Sequence, residues 1–414
     1  MNEEIQVARR RLLKAMLATG ATTALAGCSS GSLFRRFTEA GLPDHLGQGP
    51  VDMRPWARYP EKADLIMLAD RPPLLETPMH YFKTDLTPND AYFVRWHYAG
   101  LPTHVDLRTF RLNFMGAVKT PLQLSFQDLL TKFEPVSATV FSQCAGNSRS
   151  FFRPQVPGAE WTNGAMGNAH YKGVLLRDVL KMAGVQGNAV EASFRGLDEP
   201  PLQSSPHFEK PLTIDHALQG DAMIAYEMNG APMPMLNGFP IRLVVPGWFA
   251  TYWVKALSQI TLRTEPLDNF WVKTAYRIPV TPGFTEDPKH PTETTTPLTN
   301  YPTRAIFVSP EAGGKLHKGS PCIVEGIAVD DGAGIRRVEV STDGGRTWGD
   351  AQLDAVIDKY SWRRWKARWT PTETGTATLK CRATNANGET QPDYEWNHGG
   401  YRRRVVESLA VEVV

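Results

Sequence analysis

The sequence predicts an α+β domain built on a mixed β-sheet, followed by an immunoglobulin-like β-sandwich. Three observations carry this. Between residues 90 and 269, segments with strand-like patterning alternate with two short amphipathic stretches. Residues 280–303, VTPGFTEDPKHPTETTTPLTNYPT, are rich in Pro and Thr and have almost no apolar period, as a linker has. After them, short apolar segments recur at regular spacing with turn residues between, the pattern of a sandwich.

The elements follow in order. AYFVRWH (91–97), FRLNFMGAV (110–118) and ATVFS (138–142) are expected as strands. In a regular strand Arg95 and His97 share a face. LSFQDLLTKF (124–133) and VLLRDVLKMAGV (174–185) are expected as short helices, with Ser125 as an N-cap and Gly184 as a C-terminal stop. DAMIAYEMNG (221–230), PIRLVVPG (240–247) and YWVKALSQITLR (252–263) add strands. The boundaries expected are a tether and irregular wrap over 29–75, a first domain over 76–279, a linker over 280–303 and the sandwich over 304–414. Cys322 lies in an early sandwich strand and Cys381 in a late one. They either bridge the two sheets or stay as two unpaired thiols.

The chain has 414 residues and is 42% hydrophobic, enough for two domains. Its formal net charge is +2 and no basic stripe stands out, so no nucleic-acid partner is expected. Residues 1–28 are expected as an export signal of the twin-arginine type, with Arg9 and Arg10 ahead of a short, weakly apolar segment. It ends at Leu25-Ala26-Gly27-Cys28, a lipobox-like run that makes Cys28 a candidate lipid anchor. A plain small-residue cleavage site overlaps it. Either way a periplasmic protein is expected.

The most pointed local feature is FSQCAGNSRSFF (141–152). It sets Cys144 at the end of a strand, beside a Gly-Asn turn and Arg149. Four readings are open: a buried structural thiol, a nucleophile, a redox-sensing thiol or a metal ligand. A nucleophile needs a base, and spacing ties none of His97, His170 and His207 to Cys144. A zinc site needs further Cys or His at short spacing, and there are none. A lone thiolate suits a soft metal whose other ligands come from a cofactor.

FSQCAGNSRSFF, GAEWTNGAMGNAHYKGVLLRDVL (158–180) and AYEMNGAPMPMLNGFPIRLVVPG (225–247) together resemble the sulfite oxidase family of molybdenum enzymes. TYWVKALSQI (251–260) and FWVKTAYRIPVTPG (270–283) are similar to its bacterial periplasmic sulfite dehydrogenases. The likeness runs from about Asp90 to the C-terminus. It implies a sulfite-oxidase-type molybdopterin-binding domain followed by a sandwich that pairs subunits, so a homodimer. It further implies molybdenum held by one pyranopterin (molybdopterin), with Cys144 as the metal's thiolate ligand. By the same resemblance, Arg95 and Arg149 match pocket arginines, Trp161 a tryptophan lining the anion site, and Tyr276 the active-site tyrosine. His97, Asn237, Arg242 and Lys255 match cofactor-contacting or pocket-shaping positions.

One departure stands in YEWNHGGYRRR (394–404). Animal and plant relatives carry a pocket arginine where Gly399 stands, which leaves His398 or one of Arg402 to Arg404 to complete the anion site. The implied activity is oxidation of sulfite to sulfate. The four cysteines form no C-x-x-C-H haem motif and no iron–sulfur cluster, so no haem is expected in this chain. An external c-type cytochrome or haem subunit is then the expected electron acceptor. The rival readings are a sulfane dehydrogenase acting on protein-bound sulfur, a methionine sulfoxide reductase, and a cofactor-free binding module.

Overall fold

A computed structural model describes residues 56, 57, 59 and 61–414. The expected export signal and Cys28 lie outside the described residues. So does the stretch 29–55 of the expected wrap.

The first domain is built on several sheets rather than one. A five-stranded mixed sheet has the order Glu209–Thr213, Glu191–Gly196, Leu257–Arg263, Arg111–Gly116, Leu122–Ser125. Its one parallel pair is Leu257–Arg263 with Arg111–Gly116. An antiparallel sheet runs Ala231–Pro232, Met223–Met228, Met166–Leu175, Pro135–Gln143, with Arg242–Val244 added beside Met223–Met228. The long hairpin of Pro135–Gln143 with Met166–Leu175 pairs nine residues, from Pro135↔Val174 to Gln143↔Met166. That ladder fixes where its last residue points, and Cys144 follows directly.

The helix ends are set locally. Ser125 Oγ accepts from the Asp128 amide at 3.1 Å, and Asp128 Oδ2 accepts from the Ser125 amide at 2.8 Å. This reciprocal pair opens the helix Phe126–Thr131. The helix Leu176–Ala183 ends at Gly184 with φ +69, and the glycine amide bonds to Leu180 O and Lys181 O.

Three expectations change. The segment around Arg95 is paired only over Val94–Arg95, because Trp96 turns into the core and its Nε1 donates to Leu236 O at 3.0 Å. The wrap is not wholly irregular: Leu65–Ala69 and Leu74–Glu76 pair with each other, and Leu74–Glu76 also pairs with Val94–Arg95. The linker is tied down as well. Thr295–Pro297 pairs with Arg277–Pro279, and Leu298 and Tyr301 are buried.

The sandwich has two sheets. One runs Arg304–Ser309, Cys322–Val329, Arg363–Trp369, Gln352–Leu353; the other runs Lys315–Leu316, Glu407–Val413, Gly375–Asn385, Ile335–Ser341, Gly349–Asp350. Cys322 and Cys381 are unpaired thiols. Cys381 is buried in the core between the sheets, whereas Cys322, at the first residue of its strand, is half-buried at the rim.

The core of the first domain does not stop at the boundary: Ile306, Val308, Ile327, Val329 and Trp362 belong to it. A buried ion network also crosses. Arg304, fully buried, donates to Ser148 Oγ at 2.8 Å, Asn163 Oδ1 at 2.9 Å and Glu407 Oε2 at 3.0 Å. Glu407 accepts from Arg403 too. Burial opposes ionisation of Glu407, but Arg403 and Arg304 hold its carboxyl down at about 2.

Candidate active site

The Cys144 turn is shaped by its own residues. The Cys144 amide donates to Ala165 O at 2.9 Å, and the Asn147 amide returns to Cys144 O at 3.0 Å. Asn147 Oδ1 accepts from the Ala165 amide. Ser148 then takes φ +70, which sends the chain into the short turn Arg149–Phe151. Gly146 leaves room for the Arg149 guanidinium, which a Cβ on it would approach to 2.6 Å.

Cys144 opens on a cleft. Arg95, Asn237, Arg242, Thr251, Lys255 and Tyr276 line it with Cys144, alongside apolar Phe93 and Leu236. Three polar atoms of this wall are buried without a hydrogen-bond partner: Arg95 Nη1, Arg242 Nε and Thr251 Oγ1. Unpaired donors in such a place are costly unless a ligand takes them up. All three suit an anion. Lys255 Nζ donates to Arg95 O at 2.6 Å and stands 4.7 Å over the Trp96 ring. Burial, then the charge of Arg242, pushes its amine down to about 7. Arg242 Nη1 donates to Asn237 O at 3.2 Å, and Asn237 Nδ2 to Phe93 O at 3.1 Å.

Tyr276 sits at φ +59, a strained conformation for a non-glycine residue. It is held at both ends. Its carbonyl accepts from Leu298, its ring stacks on Tyr401 at 5.6 Å, and its hydroxyl lies 2.6 Å from His97 Nε2. Burial raises its phenol well above the ordinary value.

The remaining expected residues fall elsewhere. His97 is not on the cleft wall. It stands behind Tyr276, stacked on Phe208 at 3.5 Å, because the strand that would have turned it alongside Arg95 has already ended. Trp161 is buried in the core that includes Cys144, away from the wall. Arg149 is buried and already engaged: Nε donates to Gly400 O, Nη1 to Ala159 O and Nη2 to Gly399 O, and the guanidinium lies 5.0 Å from the Tyr401 ring centre.

The Gly399 departure now has a geometric reason. A Cβ at 399 would meet the Tyr401 ring at 2.7 Å, and one at 400 would meet Arg149 Nε at 2.8 Å. None of the candidate replacements reaches the cleft wall. His398 pairs with Glu286, Arg403 with Glu407 and Arg404 with Glu395. Arg402 lies over Phe284, while its amide bonds to Ala145 O.

Sequence reasoning missed Lys62, Thr251 and Lys210. Lys62 donates to Asn237 Oδ1 and to Asn89 O, and burial pushes it down to about 8. It reaches Asn237 across 175 residues of sequence, so no local pattern announces it.

A molybdenum cofactor fits these residues. Among the described residues no group of three or more His, Cys, Asp and Glu is arranged for a metal. One buried thiol beside a cationic cleft is the donor set of a metal carried by its own anionic cofactor. Cys144 would hold the metal, and Arg242, Lys255 and Thr251 would hold the cofactor's polar groups.

Comparison with known proteins gives the class first. The family model of the oxidoreductase molybdopterin binding domain matches residues 98–271, and that of the Mo-co oxidoreductase dimerisation domain matches 295–404. The chain thus carries an oxidoreductase-type molybdopterin-binding domain followed by a Mo-co oxidoreductase dimerisation domain. It is 33% identical over 364 residues to mitochondrial sulfite oxidase of Rattus norvegicus, covering 84% of this chain and 64% of that one. It is 31% identical over 372 residues to sulfite oxidase of Gallus gallus, covering 85% and 78%. The chain belongs to the sulfite oxidase family. Among solved structures, the sulfane dehydrogenase SoxCD of Paracoccus pantotrophus superposes with a TM-score of 0.72 at 22% identity, over 95% of this chain and 92% of that one. That likeness speaks for the fold.

Proposed function

We propose that this protein is a periplasmic sulfite dehydrogenase: it oxidises sulfite to sulfate and passes two electrons, one at a time, to an external c-type cytochrome. The observation that carries the reading is the unpartnered Nη1 of Arg95 in the same cleft as Cys144. A guanidinium with a free donor suits a small oxyanion. The bound molybdenum cofactor would supply the two-electron redox chemistry, with Cys144 as its protein ligand. The residues of the chain bind and orient the anion. Arg95 would take an oxyanion oxygen, Tyr276 would offer its phenol to the reacting group, and His97 would hold that phenol in place. Trp161 and Arg149 would act by stiffening the cleft, Arg149 through Tyr401. Export by the twin-arginine route, a lipid anchor at Cys28 and a homodimer through the sandwich complete the reading.

Sulfane dehydrogenation of protein-bound sulfur is the second reading. It is favoured by Gly399, which leaves the anion site without the extra arginine and less positive.

The deciding experiment is sulfite-dependent reduction of ferricyanide, then of cytochrome c, by molybdenum-loaded protein. Fast turnover with both supports the first reading. Bound molybdenum with no turnover on sulfite sinks it and moves the proposal to protein-bound sulfur. Arg95→Met should raise the KM for sulfite by roughly 10- to 100-fold, the worth of one charge-assisted hydrogen bond, and alter kcat far less. An unchanged KM would remove Arg95 from the anion site.

A further inference from the structure

The wall of the cleft that carries Arg242 and Lys255 is fastened from behind by the wrap. The turn Met235–Asn237 places Leu236 and Asn237 on that wall. A helical turn leaves its first amides without partners of its own. The residue at the N-cap here is Pro234, whose side chain has no acceptor to offer, so the turn does not cap itself. Glu61 caps it across 174 residues of sequence. Its Oε2 accepts from the Met235 amide at 3.0 Å and its Oε1 from the Leu236 amide at 2.6 Å. Lys62, buried, donates to Asn237 Oδ1 and to Asn89 O. Asn237 Nδ2 donates to Phe93 O, so both ends of this side-chain amide are taken up within the protein.

The turn passes its position on to both cleft cations. Arg242 Nη1 donates to Asn237 O at 3.2 Å, while Arg242 Nε, buried, stays without a partner. Gly238 follows at φ +121. Its carbonyl accepts from the Ala256 amide at 3.1 Å, and a Cβ on it would meet Lys255 Cα at 3.1 Å. The fastening is local: Leu65 and Leu75 of the wrap pack with Val94, Trp96 and Ala256 in an apolar cluster of their own. Such a segment can work loose without opening the main core. Glu61 and Lys62 both precede residues 98–271, the stretch that the binding-domain model matches.

We propose that Glu61 and Lys62 are positioning residues for the molybdenum cofactor: the wrap clasps the turn Met235–Asn237 and thereby holds Arg242 and Lys255 where the cofactor's anionic groups need them. The inference rests on the reading that the cofactor occupies this cleft, and not on the choice of sulfite as substrate.

The test compares holoenzyme with protein made without the cofactor, for wild type, Lys62→Met and Glu61→Met. Molybdenum release is followed by metal analysis during dialysis, and the melting temperature is measured on both forms. Each variant should release molybdenum about tenfold faster, the lower end of the loss typical when a partner behind a metal site is removed. Tenfold faster release at unchanged uptake corresponds to about 1.4 kcal/mol less stabilisation on loading. The rise in melting temperature from empty to loaded protein should therefore shrink in both variants. Lys62→Met added to Asn237→Leu should speed release no further, because Lys62 acts on the wall through Asn237.

A wild-type release rate in either single variant would overturn the proposal. So would equal falls in the melting temperatures of loaded and empty protein, which would give the pair a role in the fold alone. Wild-type protein that takes up no molybdenum would overturn it as well. Loaded wild-type protein that does not oxidise sulfite overturns only the functional reading, and the release rates still decide the role of Glu61 and Lys62.

Discussion

Cys144→Ser should lose sulfite turnover by at least about a hundredfold, beyond the 10- to 100-fold typical of partners that only support a metal ligand, and should retain its fold. The two halves of this expectation have separate causes. The shape of the turn is held by main-chain bonds, Cys144 N to Ala165 O and Asn147 N to Cys144 O, and by the Asn147 side chain. None of them involves sulfur. Serine is close in size, and its hydroxyl buried here costs about 1–2 kcal/mol, a fraction of a two-domain protein's stability. Function differs because a hydroxyl is a hard donor that stays protonated near neutral pH, whereas a thiolate is the soft donor that molybdenum takes. Molybdenum content, kcat and melting temperature measured together separate the halves. Wild-type turnover in Cys144→Ser would end the ligand assignment.

The largest stability effect is expected at Arg304. Arg304→Met takes one of the two cations from Glu407 Oε2 and removes a donor from Ser148 Oγ and from Asn163 Oδ1. Breaking a buried ion pair from one side costs about 3 kcal/mol or more. Arg403 remains as a partner for Glu407, so the loss stays near the lower end. Arg304→Met with Glu407→Gln should cost less than the sum of the two single changes, because the second removes the buried charge that the first leaves with one cation fewer. Denaturant melts of the two singles and the double measure this. Additive losses would mean that the two side chains do not form a unit. The wild-type pair also sets an acid limit. The Glu407 carboxyl is depressed in the fold from 4.5 to about 2, so its stabilisation is complete above 4.5 and is lost as pH falls toward 2. Since Ser148 closes the Cys144 turn, Arg304→Met should also loosen molybdenum retention.

Local chemistry was legible in the chain. Ser125 and Gly184 announce helix ends because a cap is decided by residues three or four apart. The Cys-Ala-Gly-Asn turn was legible for the same reason. Cys144, Arg95, Asn237, Arg242, Lys255 and Tyr276 do meet at one cleft. The errors came where position depends on distant contacts. His97 was assigned by a period of two, and the strand ends at Arg95 because Trp96 is drawn into the core. Arg149 reads as a free pocket cation until the carbonyls of Gly399 and Gly400 are placed on it. Gly399 reads as a missing arginine until the ring of Tyr401 is seen where a side chain would go. Lys62 and Lys210 have no signature, since a buried lysine looks like any other in sequence.

The cage around Arg149 bears on the order in which the molecule can be finished. Its walls are Gly146 and Gly158 on one side and Gly400 on the other, and Gly400 trails the arginine by 251 residues. At roughly 5–20 residues per second, a ribosome needs on the order of 12–50 s to make that stretch. Throughout that interval the Arg149 side chain lacks the Gly399 and Gly400 carbonyls, and Arg304 lacks Glu407. The thiol loop is thus translated well before the residues that complete it, so a cofactor that needs the finished loop is loaded only after Gly399 and Gly400 have been made.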